Sequence, residues 1–233
     1  MKAVVLAAGK GTRMKPITDT VPKVMIDING KPMLQIILEQ LKSVGITEIV
    51  VITHYLEEKI KDYFGDGAKS GLSLTYVKQG EMKGTGDAVL HAAPHINGPF
   101  LCIAGDSLFE TSLLTKLMHH TSDGVISCRE VEDTKPWGIL QVEGNKVLKM
   151  VEKPDDPPSN LANFSVYLFP HAIFDACRQI QPSKRGEYEI NDAIHMLIDE
   201  GKVFEYEKSN RIVDIGTPEQ YEKAKELAKE LGL

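Results

Sequence analysis

Met1-Lys2-Ala3-Val4-Val5-Leu6-Ala7-Ala8-Gly9-Lys10-Gly11-Thr12-Arg13-Met14 is the stretch that decides the fold. An unbroken apolar run, Ala3 to Ala8, stops at two closely spaced glycines. Such a run predicts a buried parallel strand feeding a tight loop. Glycine lets backbone N–H groups approach a ligand, and loops of this kind cradle phosphates. The loop continues through Lys15-Pro16 to Pro22-Lys23-Val24-Met25, setting Lys10, Arg13, Lys15 and Lys23 against a single acid, Asp19. A nucleotide phosphate site is the natural reading. The Walker spacing does not occur, and Met14 stands where the dinucleotide fingerprint begun by Gly9 and Gly11 needs its third glycine. That substitution argues against a NAD-binding oxidoreductase.

At 233 residues the chain holds one sizeable core, or one core with a small subdomain. A net charge of −6 excludes a global basic field for nucleic acid and leaves Gly9–Lys23 as a local positive focus. Cys102, Cys128 and Cys177 are widely spaced without a CxxC, which argues against a disulfide framework or structural zinc. Cys102 and Cys128 lie in apolar runs and read as small core residues. No stretch approaches the roughly 20 apolar residues of a membrane span, and the first run is too short for a signal segment. A cytoplasmic chain with no membrane or nucleic-acid partner is expected.

Outward from the first strand, apolar periodicity alternates. Pro32 opens a helix in which Leu34, Ile37, Leu38 and Leu41 form one stripe before Gly45. Ile49–Thr53 reads as a strand, Leu56, Ile60, Tyr63 and Phe64 as a helix, and Leu72–Val77 as a strand. Gly84–Ala93 enters another helix, and Phe100–Ala104 is an apolar strand ending at Gly105-Asp106. This rhythm predicts a Rossmann-like, doubly wound α/β fold: a mixed, mostly parallel sheet with ligands at the carboxyl ends of its strands. Farther on, Trp137–Val142 and Lys146–Val151 read as a hairpin turning at Gly144-Asn145. Lys153–Ser159 is a loop, Asn163–Phe169 a strand, Pro170–Ile180 and Glu187–Glu200 helices, and Val203–Glu207 and Arg211–Asp214 short strands. Thr217-Pro218-Glu219-Gln220 offers an N-cap Thr, a Pro at the first position and a Gln at the third. His119-His120 reads as a solvated helix end, and Trp137 as packing rather than a ligand platform. No linker divides the chain, so one domain over residues 1–233 is expected.

Leu6 to Met14 with Pro22-Lys23 resembles the signature of sugar-1-phosphate nucleotidyltransferases. The resemblance continues at Gln79, Gly84-Thr85-Gly86-Asp87-Ala88, Gly105-Asp106, Trp137-Gly138, Val151-Glu152-Lys153-Pro154, Asn163, Gly186–Asp192 and Asp214-Ile215-Gly216-Thr217-Pro218. It implies a GT-A-like nucleotidyltransferase fold with a β-hairpin insertion, a nucleotide half over about 1–110 and a sugar-phosphate half over about 111–233. It further implies that a nucleotidyl group passes from an NTP to a sugar-1-phosphate, by in-line attack needing alignment and charge neutralisation but no protein nucleophile. On this resemblance Arg13 serves the β/γ-phosphates, Lys23 the α-phosphate, and Asp106 and Asp214 the Mg²⁺. Leu6, Ala8, Gly9, Gly11, Thr12, Gln79, Gly84 and Thr85 surround the nucleotide, and Gly138, Glu152, Lys153 and Asn163 the sugar phosphate. The Gln79 amide, able both to donate and to accept, suits the O4 and N3–H edge of uracil or thymine.

Two departures matter. Many relatives read N-A-G-I-Y where this chain has Asn163-Phe164-Ser165-Val166-Tyr167, which leaves the sugar's identity open and sets Phe164 at the border of the sugar pocket. Ile212 replaces a Trp common in thymidylyltransferase-like members, so UTP is expected ahead of dTTP. The alternatives are a CTP- or GTP-dependent enzyme (acting on a sugar phosphate or phosphocholine) and a non-catalytic regulatory subunit. The chain ends at Leu233 without a hexapeptide-repeat β-helix, a short form in which acetyl transfer is not expected. A homo-oligomer is compatible with these features.

Overall fold

β1 (Lys2–Ala7) forms where its apolar run predicts, with Ala3, Val4 and Val5 fully buried. The computed structural model describes residues 1–233. After the glycine loop, a ribbon of β2 (Asp27–Ile28) and β3 (Lys31–Pro32) leads into α1 (Met33–Ser43), whose Leu34–Leu41 stripe is buried. Then come β4 (Glu48–Thr53), α2 (Glu57–Phe64), β5 (Ser73–Lys78), α3 (Thr85–Leu90) and β6 (Phe100–Ala104). β7 (Ser107–Phe109), α4 (Ser112–His119) and β8 (Gly124–Glu130) fill a stretch for which the sequence analysis names no element. The hairpin of β9 (Gly138–Glu143) and β10 (Lys146–Glu152) precedes β11 (Leu161–Phe169) and α5 (Ile173–Gln179). α6 (Ile190–Asp199), β12 (Phe204–Lys208), β13 (Ile212–Asp214) and α7 (Pro218–Leu231) complete the chain.

Nine strands form one sheet in the order β5-β4-β1-β6-β11-β8-β12-β10-β9. Ala3 and Val5 join the core on one face of the sheet and Val4 the core on the other, so both faces are covered and the strand is apolar throughout. The sheet is mixed, as expected, but parallel pairing is less widespread than the βαβ rhythm suggests. Parallel ladders run β5-β4-β1-β6 and β8-β12. β11 runs against both of its neighbours, and the hairpin strands pair antiparallel. Antiparallel partners need no helical crossover, which is why the rhythm fades beyond β6. β13 lies outside the main sheet and pairs with β7.

One local expectation is corrected and another is met. His120 is not a solvated helix end: its Nδ1 lies 2.7 Å from Glu205 and its Nε2 3.3 Å from Glu207, tying α4 to β12. Thr217 does cap α7 by accepting from Gln220 N at 3.3 Å. The Gln220 amide oxygen accepts from Gly216 N at 2.9 Å, tying the start of the helix to the residue before the cap.

Candidate active site

The carboxyl ends of β1 and β6 open into a cleft of about 270 Å³, lined by Leu6, Gly9, Gly11, Thr12, Arg13, Lys23, Thr85, Asp106 and Gly216 among others. Gly11 turns the loop with φ +63°, and a Cβ there would meet Thr18 Cγ2 at 2.9 Å and the Lys23 stem at 3.0 Å. Thr18 Oγ1 and Met14 N donate to Gly11 O at 2.7 and 2.8 Å, and Met14 is buried. The residue that breaks the dinucleotide fingerprint is therefore the loop's anchor in the core. The Arg13 guanidinium lies against Gly216, where a Cβ would stand 3.4 Å from Nη2.

Lys23 donates from Nζ to the Asp106 carboxylate at the base of the cleft. Asp214 reaches the same place through the β7–β13 ribbon, opposite Ser107 in register. Ser107 Oγ donates to Asp214 Oδ1 at 2.5 Å, and Ile215 N donates to Asp106 O at 2.8 Å. Desolvation and the neighbouring Asp106 charge push the Asp214 pKa up to about 7, against the opposing pull of the Ser107 hydrogen bond and of Lys23 and Arg129.

Gln79 and Gly84 stand behind Thr85. Gln79 is buried, and its Nε2 donates to Asp87 Oδ2 at 2.7 Å and to Gly84 O at 3.3 Å. Gly84, with φ +113°, packs so tightly on Tyr188 that a Cβ would lie 2.5 Å from its carbonyl oxygen. Thr85 Oγ1 accepts from Ile190 N at 3.1 Å, joining α3 to α6. Gly84 and Thr85 thus bind the chain to itself, and Thr85 also lines the cleft.

Of the residues expected on the sugar side, Gly138, Glu152 and Lys153 form a second group. The Glu152 carboxylate sits beside Gly138, 3.8 Å from Lys153 Nζ and 3.9 Å from Arg185 Nη2. Glu152, Lys153 and Arg185 help line a cavity of about 650 Å³ between β10 and α6. Lys153 has φ +45°, a left-handed conformation that L residues hold only where neighbours impose it; its N–H donates to Trp137 O at 3.0 Å. Asn163 is apart from this cavity: Nδ2 donates to the Tyr167 hydroxyl at 2.7 Å, and Oδ1 is buried without a partner. Phe164 does not border a pocket. It is fully buried, with Trp137 stacked on it at 4.7 Å and the Arg129 guanidinium 4.7 Å from the ring centroid. Strand alternation turns Phe164 into the core, away from the side of Asn163 and Ser165.

Three residues of this region escape the sequence analysis. Arg185 has a local signal, a cation just before Gly186 in a motif already singled out. Ser107 follows Asp106 directly. Arg129 has none; it holds β13 by donating to Ile212 O at 2.7 Å, a contact only the fold creates.

A glycine loop, paired cations and two converging carboxylates at strand ends define a phosphate-handling α/β enzyme, and the chain belongs to the nucleotidyl transferase family, whose pattern it matches over residues 2–230. It is 36% identical, over 99% of its length and 97% of that protein's, to the UTP–glucose-1-phosphate uridylyltransferase AglF of Haloferax volcanii. It is 38% identical to the bifunctional protein GlmU of Methanocaldococcus jannaschii, aligning 94% of its own length to 52% of that longer protein. Among solved structures, a UDP-glucose pyrophosphorylase complexed with UDP-glucose superposes with a TM-score of 0.85 at 28% identity, covering 99% of both chains. A Bacillus anthracis chain provisionally described as a glucose-1-phosphate thymidylyltransferase, complexed with sucrose, superposes at 0.89 with 27% identity, over 99% of this chain and 96% of that one.

Proposed function

We propose that this nucleotidyltransferase makes a nucleoside-diphosphate sugar from UTP, with dTTP second, and a sugar-1-phosphate, with glucose-1-phosphate first. A sugar-phosphate oxygen forms a bond to the α-phosphorus, the bond from that phosphorus to the bridging oxygen breaks, and pyrophosphate leaves. The observation that carries this reading is the Lys23–Asp106 pair seated in one cleft with Arg13 and the glycine loop. The uridylyltransferase AglF and the pyrophosphorylase complexed with UDP-glucose support the choice of substrates.

In this scheme Arg13 grips the β/γ-phosphates, while Asp106 holds Lys23 within reach of the α-phosphate, where charge grows during attack. Ala8, Gly9, Gln79, Gly84 and Thr85 surround the base. Glu152 accepts from sugar hydroxyls, and Lys153 with Arg185 meets the sugar's phosphate. Asp106 and Asp214 suit Mg²⁺: they are two carboxylates brought together with Asp214 held against its charge by burial, and Mg²⁺ takes one or two carboxylates and completes its shell with phosphate oxygens and water. When bound, it would neutralise charge on the phosphate oxygens.

The sheet runs unbroken from strands of residues 1–110 into strands of 111–233, which supports one domain with a nucleotide half and a sugar half. No helix is long and apolar enough to cross a membrane, and we place the reaction in the cytoplasm. The test is pyrophosphate release across UTP, dTTP, CTP and GTP, each with and without sugar-1-phosphates. Release with UTP or dTTP that requires a sugar-1-phosphate is the expected result. Turnover confined to CTP or GTP overturns the base assignment, and nucleotide binding with no turnover supports a regulatory role instead.

A further inference from the structure

Asp87 stands next to the Gln79 amide with no part in the phosphate chemistry. Gln79 is pinned on every side. Its backbone N–H donates to Thr53 O at 2.8 Å, and its carbonyl oxygen lies 2.8 Å from His54 Nδ1. Its side-chain nitrogen has two hydrogens, and both are spent, on Asp87 Oδ2 at 2.7 Å and on Gly84 O at 3.3 Å. The opposite amide orientation would set Oε1 against a carboxylate and a carbonyl oxygen, neither of which can donate. The usual ambiguity of an amide side chain is thereby removed.

What remains is Oε1. No protein group donates to it, yet the side-chain polar atoms both buried and unpartnered are Gln40 Oε1 and Asn163 Oδ1 alone. Gln79 Oε1 therefore keeps exposed surface and an unused acceptor, although Gln79 as a whole is only 2% exposed. We infer that Asp87 is a specificity-determining positioning residue: by holding the Gln79 amide it leaves an acceptor-only surface toward the base. This rests on the proposal that Gln79 faces the base. Uracil and thymine carry a hydrogen on N3 and can donate to that surface. Cytosine presents a lone pair at N3, so two acceptors would meet. The amide does not read both edges of the base; it asks for one donor.

The experiment replaces Asp87 by a group of the same shape. In Asp87→Asn the new amide can accept from Gln79 Nε2 or, rotated, donate to Oε1, so Gln79 is no longer held one way. The ratio of kcat/KM for UTP over CTP is expected to fall about ten-fold, the loss of one oriented hydrogen bond. Calorimetric binding of UTP and CTP without sugar should show the same convergence, with melting near that of the wild type. Asp87→Ala should lower the ratio at least as far. An unchanged ratio in folded Asp87→Asn overturns the inference while leaving the uridylyl reading intact. A wild-type enzyme that prefers CTP overturns the base assignment itself, before any variant is made.

Discussion

The end proposed for the nucleotide and the end proposed for the sugar are built by different means. At the nucleotide end a glycine loop follows a strand buried on both faces, and backbone, Arg13, Lys23 and Asp106 line one cleft. At the sugar end Glu152, Lys153 and Arg185 come from a hairpin and a loop, are about half exposed, and hold one another by ion pairs of 3.8 to 3.9 Å. The first arrangement is rigid because its frame is the central sheet. The second is held by exposed charge pairs, each worth under about 1 kcal/mol, so it can yield to a substrate without disturbing the core. On the proposed function, the more rigid arrangement is the one assigned to the phosphates, and the more adaptable one is assigned to the sugar.

The sharpest way to break this contrast is at the rigid end. Asp106→Asn removes both a carboxylate and the partner of Lys23, and turnover should drop by about 10³-fold while the fold persists. Lys23→Ala should cost on the order of 10²-fold in kcat with a smaller change in nucleotide binding. Steady-state kinetics with melting curves checks both, and near wild-type turnover in either would place the chemistry elsewhere.

Phe164→Ala tests whether the boundary between the two ends is core. Emptying a fully buried ring should cost about 3–5 kcal/mol in denaturant unfolding, with the ranking of sugar-1-phosphates unchanged among molecules that remain folded. A changed ranking with little loss of stability would return Phe164 to the sugar pocket.

A smaller effect is expected at the adaptable end. Arg185→Met or Glu152→Gln should raise KM for the sugar-1-phosphate about ten-fold, equivalent to one charge-assisted hydrogen bond, and leave KM for the nucleotide in place. Equal effects on both substrates would erase the distinction between the ends.

The smallest effect lies in the frame. Burial opposes charge on His120, but hydrogen bonds to Glu205 and Glu207 prevail and raise its pKa above the ordinary 6.5. A raised folded pKa contributes stability that is complete below the unfolded value and lost as pH climbs through the folded one. His120→Gln should therefore cost on the order of 1 kcal/mol at pH 6 and less at pH 9, measured by urea unfolding at each pH. A loss independent of pH would show that packing, not charge, joins α4 to β12.

By itself, the sequence determined the parallel half of the sheet, the glycine loop and the hairpin. Each is written in a local run: Ala3–Ala8 before Gly9, Phe100–Ala104 before Asp106, and two strands about Gly144-Asn145. Local runs suffice there because burial on both faces and tight turns impose composition within a few residues. β8 escaped that reading, since an apolar stretch buried on both sides carries no period to separate strand from helix, and α4 is a short helix whose buried face is only Leu113, Leu114 and Leu117. Only the tertiary structure decided that Phe164 is core, that Arg185 stands beside Glu152, and that Ser107 meets Asp214 across 107 positions of chain. The physical reason is that these contacts join segments far apart in the chain: a slip of one residue in β11 or in the β7–β13 ribbon would turn Phe164, Ser107 or Asp214 to the opposite face, and Arg185 meets Glu152 only because its loop comes back to β10.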